Sequence, residues 1–171
     1  MPLDKSVLLG FLKEVDRELE RPVVLVAVGG TGLTLLDAKV STADVDFTIP
    51  GSDYYVFENA LNRIPHGFKV DCWKDGMVFS QILPDDYLKR SIPIRTLKHI
   101  DLRSLNPIDI VVTKIGRLDA RDKEDIEATV KKFKLKKSQI MTRAGQVKYV
   151  GREENYRINL DYALKNLFGQ P

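Results

Sequence analysis

Two short stretches of sequence decide the fold of this chain. Residues 23–31 read VVLVAVGGT, and residues 44–49 read DVDFTI. The first is a β-branched, nearly all-apolar run that ends in two glycines, the pattern of an interior strand covered on both faces. The second alternates strictly between polar and apolar residues, so a strand here places Asp44, Asp46 and Thr48 on one face and its apolar residues on the other. The sequence therefore predicts two strands, and the second carries a pair of carboxylates.

The segments around these strands alternate between helical and strand-like patterns. Helical spacing of apolar residues, with caps or prolines at the ends, predicts helices over residues 3–20, 31–37, 53–64, 107–115, 119–133 and 155–168. Strand patterns cover residues 68–73 and 77–83, joined by a hairpin turn at 74–76, and less regular strand-like pieces lie within 91–105. This order indicates a single α/β domain over residues 1–171, with its core at about 22–105 and a helical C-terminal part at about 106–171.

The composition, with 43% apolar and 30% charged residues among 171, is typical of a globular protein. Lysine and arginine number 27 against 24 aspartates and glutamates, which excludes a uniformly basic, histone-like nucleic-acid binder. The single cysteine, Cys72, excludes a disulfide framework and a multi-cysteine zinc site. The longest apolar run, residues 23–28, is far short of the roughly 20 residues that span a bilayer. The first 20 residues resemble an amphipathic helix rather than a signal peptide, so we expect a cytoplasmic protein without a membrane segment.

The carboxylates of Asp44 and Asp46 are the first candidate for chemistry. Two acids at positions i and i+2 of a strand point the same way, with Cα atoms roughly 6.6 Å apart. Side by side they repel each other, and one tends to keep its proton unless a cation lies between them. Hard oxygen ligands suit Mg²⁺ or Mn²⁺. The alternative is an ordinary solvated strand face.

The glycine turn at Gly29 and Gly30 is the second candidate. Glycines let a phosphate approach the backbone at the start of a helix, and Thr31 adds a hydroxyl donor. The spacing fits neither a Walker loop nor a dinucleotide-binding fingerprint. A tight strand-to-helix turn with no ligand is the alternative.

The third candidate is Asp71, on the polar side of the strand predicted at 68–73. If this strand neighbours the one at 44–49, Asp71 lies beside Asp44 and Asp46. Three carboxylates of this kind hold two metal ions for an in-line displacement at phosphorus, and Asp71 becomes a candidate base for the attacking hydroxyl. A solvated strand acid is the alternative.

Taken together, these pieces resemble the polymerase-β-type nucleotidyltransferase superfamily. The likeness rests on the Gly29-Gly30-Thr31 turn, on an acid-hydrophobic-acid strand that begins thirteen residues after Thr31, and on a third strand acid. Small stand-alone members such as the AbiEii-like toxins also share a later pattern, which matches NPIDI at 106–110, Lys114, Arg117 and RDKEDI at 121–126. The resemblance covers residues 22–133 and implies a mixed β-sheet flanked by helices.

The resemblance also implies roles for individual residues. Gly29, Gly30 and Thr31 would hold the triphosphate of an NTP substrate, and Asp44, Asp46 and Asp71 would hold Mg²⁺ or Mn²⁺ and form the catalytic set. Lys114 and Arg121 would reach the phosphates or the acceptor, with Asp125 fixing Arg121. One departure is Val40, because many relatives have an arginine four residues before the first acid; here Lys39 precedes it. For Lys114 and Arg117, solvated helix surface is the alternative.

A basic segment lies between residues 131 and 152. No acid occurs from Ala128 to Arg152, and eight cations do: Lys131, Lys132, Lys134, Lys136, Lys137, Arg143, Lys148 and Arg152. Such a segment can attract a polyanion, with tRNA as the natural example. The alternative is a solvated charge run that leans toward disorder.

We therefore expect a metal-dependent nucleotidyltransferase that moves a nucleoside monophosphate from an NTP to an acceptor hydroxyl of RNA, tRNA or protein. A second hypothesis is a non-catalytic nucleotide- or partner-binding module, one half of a toxin–antitoxin or regulatory pair with a cognate partner protein. A third is a structural α/β protein in which the acid pair is a coincidence.

Overall fold

The computed structural model describes residues 2–169, so Met1, Gln170 and Pro171 of the predicted domain lie outside the described residues. Across the described chain there are ten strands and eight helices. The strands are β1 (Leu3–Asp4), β2 (Val23–Ala27), β3 (Ser41–Thr42), β4 (Val45–Ile49), β5 (Val70–Lys74), β6 (Met77–Val78), β7 (Gln81–Ile82), β8 (Ile92–Thr96), β9 (Ile100–Ser104) and β10 (Lys148–Tyr149). The helices are α1 (Lys5–Arg17), α2 (Gly29–Leu35), α3 (Gly51–Leu61), α4 (Tyr87–Arg90), α5 (Pro107–Lys114), α6 (Ala120–Phe133), α7 (Lys137–Ala144) and α8 (Glu153–Phe168).

A mixed five-stranded sheet forms the centre of the fold, in the order β5-β4-β2-β9-β8. Strand β2 runs antiparallel to β4 and parallel to β9, while β4 and β5 are parallel neighbours. Two small sheets accompany it: β1 with β3, and β10-β7-β6. The predicted α/β class and mixed sheet are confirmed.

Two apolar cores cover the two faces of this sheet. Helices α1 and α3 pack against Val45, Phe47 and Ile49 of β4 on one face. Helices α5 to α8 pack over Val26 and Val28 on the other. Strand β2 is therefore covered on both faces, as its apolar run predicts. The same alternation leaves the polar residues of β4 facing the helices α5 and α6.

Several predicted elements begin or end differently. The turn at Asp75 and Gly76 exists, with φ of 51° and 85°, but it leads from the main sheet into the small one, so β5 and β6 are not a hairpin. The hairpin is β6 with β7. Helix α3 begins after Pro50 without a side-chain cap, because Asp53 accepts hydrogen bonds from Val24 N and Arg21 instead.

The segment expected to lean toward disorder is ordered. It contains the end of α6, all of α7 and the strand β10. Ile140 of α7 is buried in the core, and α7 is held by Arg143, which pairs with the buried Asp109 of α5. The sequence did not predict α7, because few residues of this basic segment face the core. Among residues 2–169, no helix combines the length and apolarity needed to cross a membrane.

Candidate active site

A cleft opens where the polar ends of β4 and β5 meet α2, α5, α6 and the β6–β7 hairpin. The structure brings seven of the eight predicted site residues to its wall: Gly29, Gly30, Asp44, Asp46, Asp71, Lys114 and Arg121. Lys69 and Phe79, which the sequence did not single out, also line the cleft, together with Lys39, Asp122 and Asp125.

The acids of β4 and β5 lie side by side. Asp46 is the register partner of Asp71 in the parallel β4–β5 pair, so the condition under which Asp71 lies beside the acid pair is met. Asp44 immediately precedes β4 and is exposed at the mouth of the cleft. The sheet register thus places three carboxylates along one edge of the cleft.

The environment of Asp46 disfavours its charged form. Its Oδ1 atom is buried and has no hydrogen-bond partner among residues 2–169. Burial, together with the negative charges of Asp71 and Asp44, raises the pKa of Asp46 to about 6, although Lys114 and Lys69 act in the other direction. The folded chain therefore leaves a carboxylate with too little positive charge around it.

The donor set fits a hard divalent cation. Carboxylate oxygens are the ligands that Mg²⁺ and Mn²⁺ prefer, and the unpartnered Oδ1 of Asp46 is an oxygen that such an ion would satisfy. Among residues 2–169 no three His, Cys, Asp or Glu side chains already converge on a single point. One reason is that Asp71 turns toward Lys69, whose Nζ lies 3.0 Å from Asp71 Oδ2. Lys69 is two-thirds exposed, so a metal ion competes with a solvated partner.

Thr31 differs from its expected role. Its side chain is 1% exposed and lies behind the cleft wall. The hydroxyl donates to Asp44 O (3.1 Å) and accepts from Asp46 N (3.0 Å). Because the hydroxyl both donates and accepts inside the protein, it ties the glycine turn to the acid strand and is not free to donate to a phosphate.

The two glycines of the turn are required for different reasons. Gly29 has φ of +53°, a left-handed conformation that side chains disfavour. Gly30 has no such strain, but a Cβ there would lie 2.8 Å from Thr42 Oγ1 and 3.6 Å from Lys39 Nζ. A Cβ at Gly29 would lie 3.9 Å from Asp46 Oδ2. The turn is therefore in close contact with both the acid strand and a lysine.

A chain of ion pairs forms the opposite wall. The Lys114 side chain is 8% exposed, and its Nζ lies 3.1 Å from Asp122 Oδ1 and 3.0 Å from Asp125 Oδ2. Asp125 also receives Lys39 Nζ at 3.1 Å. The expected pairing of Asp125 with Arg121 is therefore wrong, since Asp125 is held by two lysines and Arg121 is exposed. Lys114 is likewise not solvated helix surface, because the capping geometry at the start of α6 brings Asp122 to it.

The comparisons with known proteins agree with this geometry. Residues 7–166 match the model of the family described as "Nucleotidyltransferase of unknown function (DUF6036)". The chain belongs to this family. The family resemblance inferred from the sequence is confirmed, and the protein is a nucleotidyltransferase, an enzyme of nucleoside monophosphate transfer.

A solved structure shares the fold of this nucleotidyltransferase. The chain is similar to the crystal structure of ANT(2")-Ia in complex with adenylyl-2"-tobramycin, with a TM-score of 0.51 and 12% identity. The similarity covers 94% of this chain and 97% of that chain. At this identity it is a likeness of fold. No curated protein matches the chain.

Sequence reasoning missed one cation of this nucleotidyltransferase site. Lys39 lies in the loop before β3, and its partner Asp125 is 86 positions later in the chain. Nothing in the local sequence links the two, although the departure at Val40 did point to the neighbouring Lys39. The position of Lys39 between Gly30 and Asp125 is therefore found only in three dimensions.

The basic segment loses one of its eight cations to the protein interior. Arg143 is 3% exposed and pairs with Asp109 and Asp86. Lys132 donates to Asp37 O, and the other six remain at the surface without such an internal role among the described contacts. Tyr156, which follows this segment, is buried and donates to Val112 O, so it belongs to the core.

Proposed function

We propose that this protein transfers a nucleoside monophosphate from an NTP to an acceptor hydroxyl in a reaction that depends on a divalent metal ion. The observation that carries the proposal is the buried, unpartnered Asp46 Oδ1, which lies in a row with Asp44 and Asp71 beside the Gly29-Gly30 turn. A carboxylate left in this state is costly unless a ligand completes it.

The reaction forms one bond and breaks one. The acceptor oxygen attacks the α-phosphorus of the NTP, the bond from that phosphorus to the bridging oxygen breaks, and pyrophosphate leaves. Asp71 is our candidate for the group that takes the proton of the attacking hydroxyl, because it is half-buried at the cleft wall next to Asp46. Lys69, its present partner, would then turn to solvent.

Asp44, Asp46 and Asp71 would hold the metal. A bound divalent cation supplies charge neutralisation at the phosphates and withdraws charge from phosphorus. The protein contributes a rigid frame, because the β4–β5 register fixes the backbone of Asp46 and Asp71 and the Thr31 hydroxyl fixes that of Asp44 and Asp46. Fixed positions reduce the reorganisation that the reaction requires.

The triphosphate would lie along the glycine turn. Gly29 and Gly30 offer close backbone approach, and Lys39, Lys114 and Arg121 offer positive charge around it. Asp125 holds Lys39 and Lys114 at about 3 Å, so both ammonium groups are in place before a nucleotide arrives. Pre-positioned cations of this kind lower the entropy cost of binding.

For the acceptor we propose a polyanion, with RNA as the example. The support is the surface charge of the basic segment, where Lys131, Lys134, Lys136, Lys148 and Arg152 are exposed and no acid offsets them between residues 128 and 152. Neutralising phosphates with such side chains releases counterions, so binding weakens steeply with salt.

The test is transfer of label from an α-labelled NTP into total RNA or protein, with and without Mg²⁺ or Mn²⁺. Asp46→Ala is expected to lower transfer by at least about a hundredfold. Asp101→Ala is the matched control, because Asp101 is also a strand carboxylate of the main sheet but lies outside the cleft. Label incorporation by Asp46→Ala at the level of Asp101→Ala would refute the proposal.

A further inference from the structure

The tip of the β6–β7 hairpin presents one aromatic side chain to the cleft. Phe79 follows β6, lines the cleft and is 41% exposed. Its backbone has φ of +52°, a conformation that is uncommon for a bulky residue. Strained residues of this kind persist where the surrounding structure holds them, and they concentrate at ligand-binding sites.

Two neighbours hold the Phe79 ring in place. The Trp73 ring lies 4.7 Å away, centroid to centroid, at 50°. The Arg117 guanidinium lies 5.0 Å from the Phe79 centroid, and Asp122 fixes it through hydrogen bonds of 2.8 and 2.9 Å. The ring is thus supported by groups that are themselves ordered, although nearly half of the residue is open to solvent.

Phe79 and Lys39 are the two ends of a series of contacts along the cleft. The Phe79 ring contacts Arg117, which pairs with Asp122. Lys114 joins Asp122 to Asp125, and Asp125 pairs with Lys39 beside Gly30. The enclosed volume is about 170 Å³, which is below the ~300 Å³ of small ligand pockets. Phosphates fit inside it, and a nucleoside must extend to the rim.

We propose that Phe79, supported by Trp73 and Arg117, is the surface on which the base of the NTP stacks. The inference rests on the proposed function, because it takes the phosphate end of the cleft to be at Gly30 and Lys39. An aromatic ring recognises the π-face that every base has, so stacking there favours a bound nucleoside over a bare polyphosphate. Phe79 is then a specificity residue for nucleotides and takes no part in the bond changes.

The chain offers its own reporter for this contact. Trp73 is the single tryptophan and its ring touches the proposed stacking surface. Titration of the wild type with ATP, and separately with inorganic tripolyphosphate, both with Mg²⁺, should change the fluorescence of Trp73 with ATP and leave it nearly unchanged with tripolyphosphate. Dissociation constants for both ligands come from calorimetry on the same samples.

Phe79→Gly is the decisive variant, since glycine accepts the positive φ and the change removes the ring without adding strain. We expect the variant to remain folded, which its thermal unfolding transition checks, its ATP affinity to fall at least about tenfold, and its tripolyphosphate affinity to stay the same. Phe79→Tyr, which keeps an aromatic ring, should bind ATP as tightly as the wild type. Tyr55→Ala is the control, because Tyr55 is another exposed aromatic, 60% accessible, outside the cleft.

Each result has one interpretation. Equal ATP affinity in Phe79→Gly and wild type overturns the inference, and so does an equal loss of ATP and tripolyphosphate. Failure of the wild type to bind either ligand with Mg²⁺ overturns the proposed function itself, and the inference with it.

Discussion

Asp46 and Asp122 line the same cleft, and their surroundings have opposite effects on them. Asp122 begins α6 as part of a capping box and is 0% exposed. Burial alone would raise its pKa, but the hydrogen bonds and charges of Arg117 and Lys114 lower the pKa of Asp122 below its ordinary value. Asp46 is buried against two further carboxylates, and its pKa is raised to about 6.

The difference shows which wall of the cleft is complete and which is not. On the α6 side every buried charge has a partner within the chain, so that wall is structure. On the β4–β5 side Asp71 pairs with the exposed Lys69, but the buried Oδ1 of Asp46 has no partner among residues 2–169, so a bound cation would stabilise that wall. Carboxylates alone do not identify an active site; carboxylates whose charge the fold leaves uncompensated do.

Removing the ion pairs of Asp122 on the α6 side of the cleft should have the largest effect on stability. Asp122→Asn removes the partner of Lys114 and Arg117 and one half of the capping box. We expect the free energy of unfolding to fall by about 3 kcal/mol, measured by urea denaturation at pH 7. The lowered pKa means that the contribution of Asp122 is present above its unfolded pKa near 4 and is lost as the pH falls through its folded pKa. Wild type and Asp122→Asn should therefore converge in stability below pH 4. A variant as stable as the wild type at pH 7 would show that this wall does not hold the fold.

Neutralising Asp46 on the β4–β5 side should instead raise the free energy of unfolding. Asp46→Asn removes a charge that burial and repulsion disfavour, so in metal-free buffer at pH 7.5 the variant should be more stable than the wild type by about 2 kcal/mol. A raised pKa makes the wild type lose stability as the pH rises from about 4 to about 6, and Asp46→Asn should lack this slope. Urea midpoints at pH 4 and pH 7.5 measure both. Loss of stability in the variant at pH 7.5 would contradict the contrast.

Lys39 lies between Gly30 and Asp125, and removing its charge should have a smaller effect, on substrate binding. Lys39→Ala deletes the ammonium next to Gly30 but leaves Lys114 to pair with Asp125. We expect the KM for NTP to rise about tenfold with little change in kcat or thermal midpoint, and Lys39→Arg to restore most of it. Lys5→Ala is the control, since Lys5 also forms an exposed ion pair but outside the cleft. Equal KM values for Lys39→Ala and Lys5→Ala would remove Lys39 from the phosphate site.

The smallest effect is expected at the basic segment. Replacing Lys136 and Lys137 by alanine should weaken RNA binding a few-fold and reduce the slope of log K against log salt by up to about 2. Lys13→Ala/Arg17→Ala is the charge-matched control on α1, which packs on the opposite face of the sheet. Filter binding between 50 and 200 mM salt measures both; equal slopes would exclude the segment as the acceptor surface.

The sequence predicted the incomplete wall better than the complete one. Alternation in residues 44–49 and 68–73 places Asp46 and Asp71 on the polar sides of their strands, and the β4–β5 pairing, which the sequence left as a condition, brings the two together. On the α6 side, Lys114 and Asp122 are only 8 positions apart, but Lys39 and Asp125 are 86 apart. Helix packing decides the distant pair, and no local pattern encodes it.

The role of Thr31 was missed for a related reason. The sequence shows a hydroxyl next to two glycines, which favours a phosphate ligand, whereas the structure shows that the backbone at Asp44 and Asp46 uses this hydroxyl first. Periodicity gives the face on which a side chain lies. It does not give the hydrogen-bond partner that is already there.

The most direct test of the central claim is the order of thermal stability of two proteins under two conditions. Without ligand, Asp46→Asn should melt at a higher temperature than the wild type. With Mg²⁺ and an NTP at about 100 times the dissociation constant, the wild type should gain about 2.7 kcal/mol and become the more stable of the two, while Asp46→Asn should not shift. If both proteins shift equally, or if the wild type does not shift with any NTP, the uncompensated charge of Asp46 is not the site that a metal and nucleotide complete.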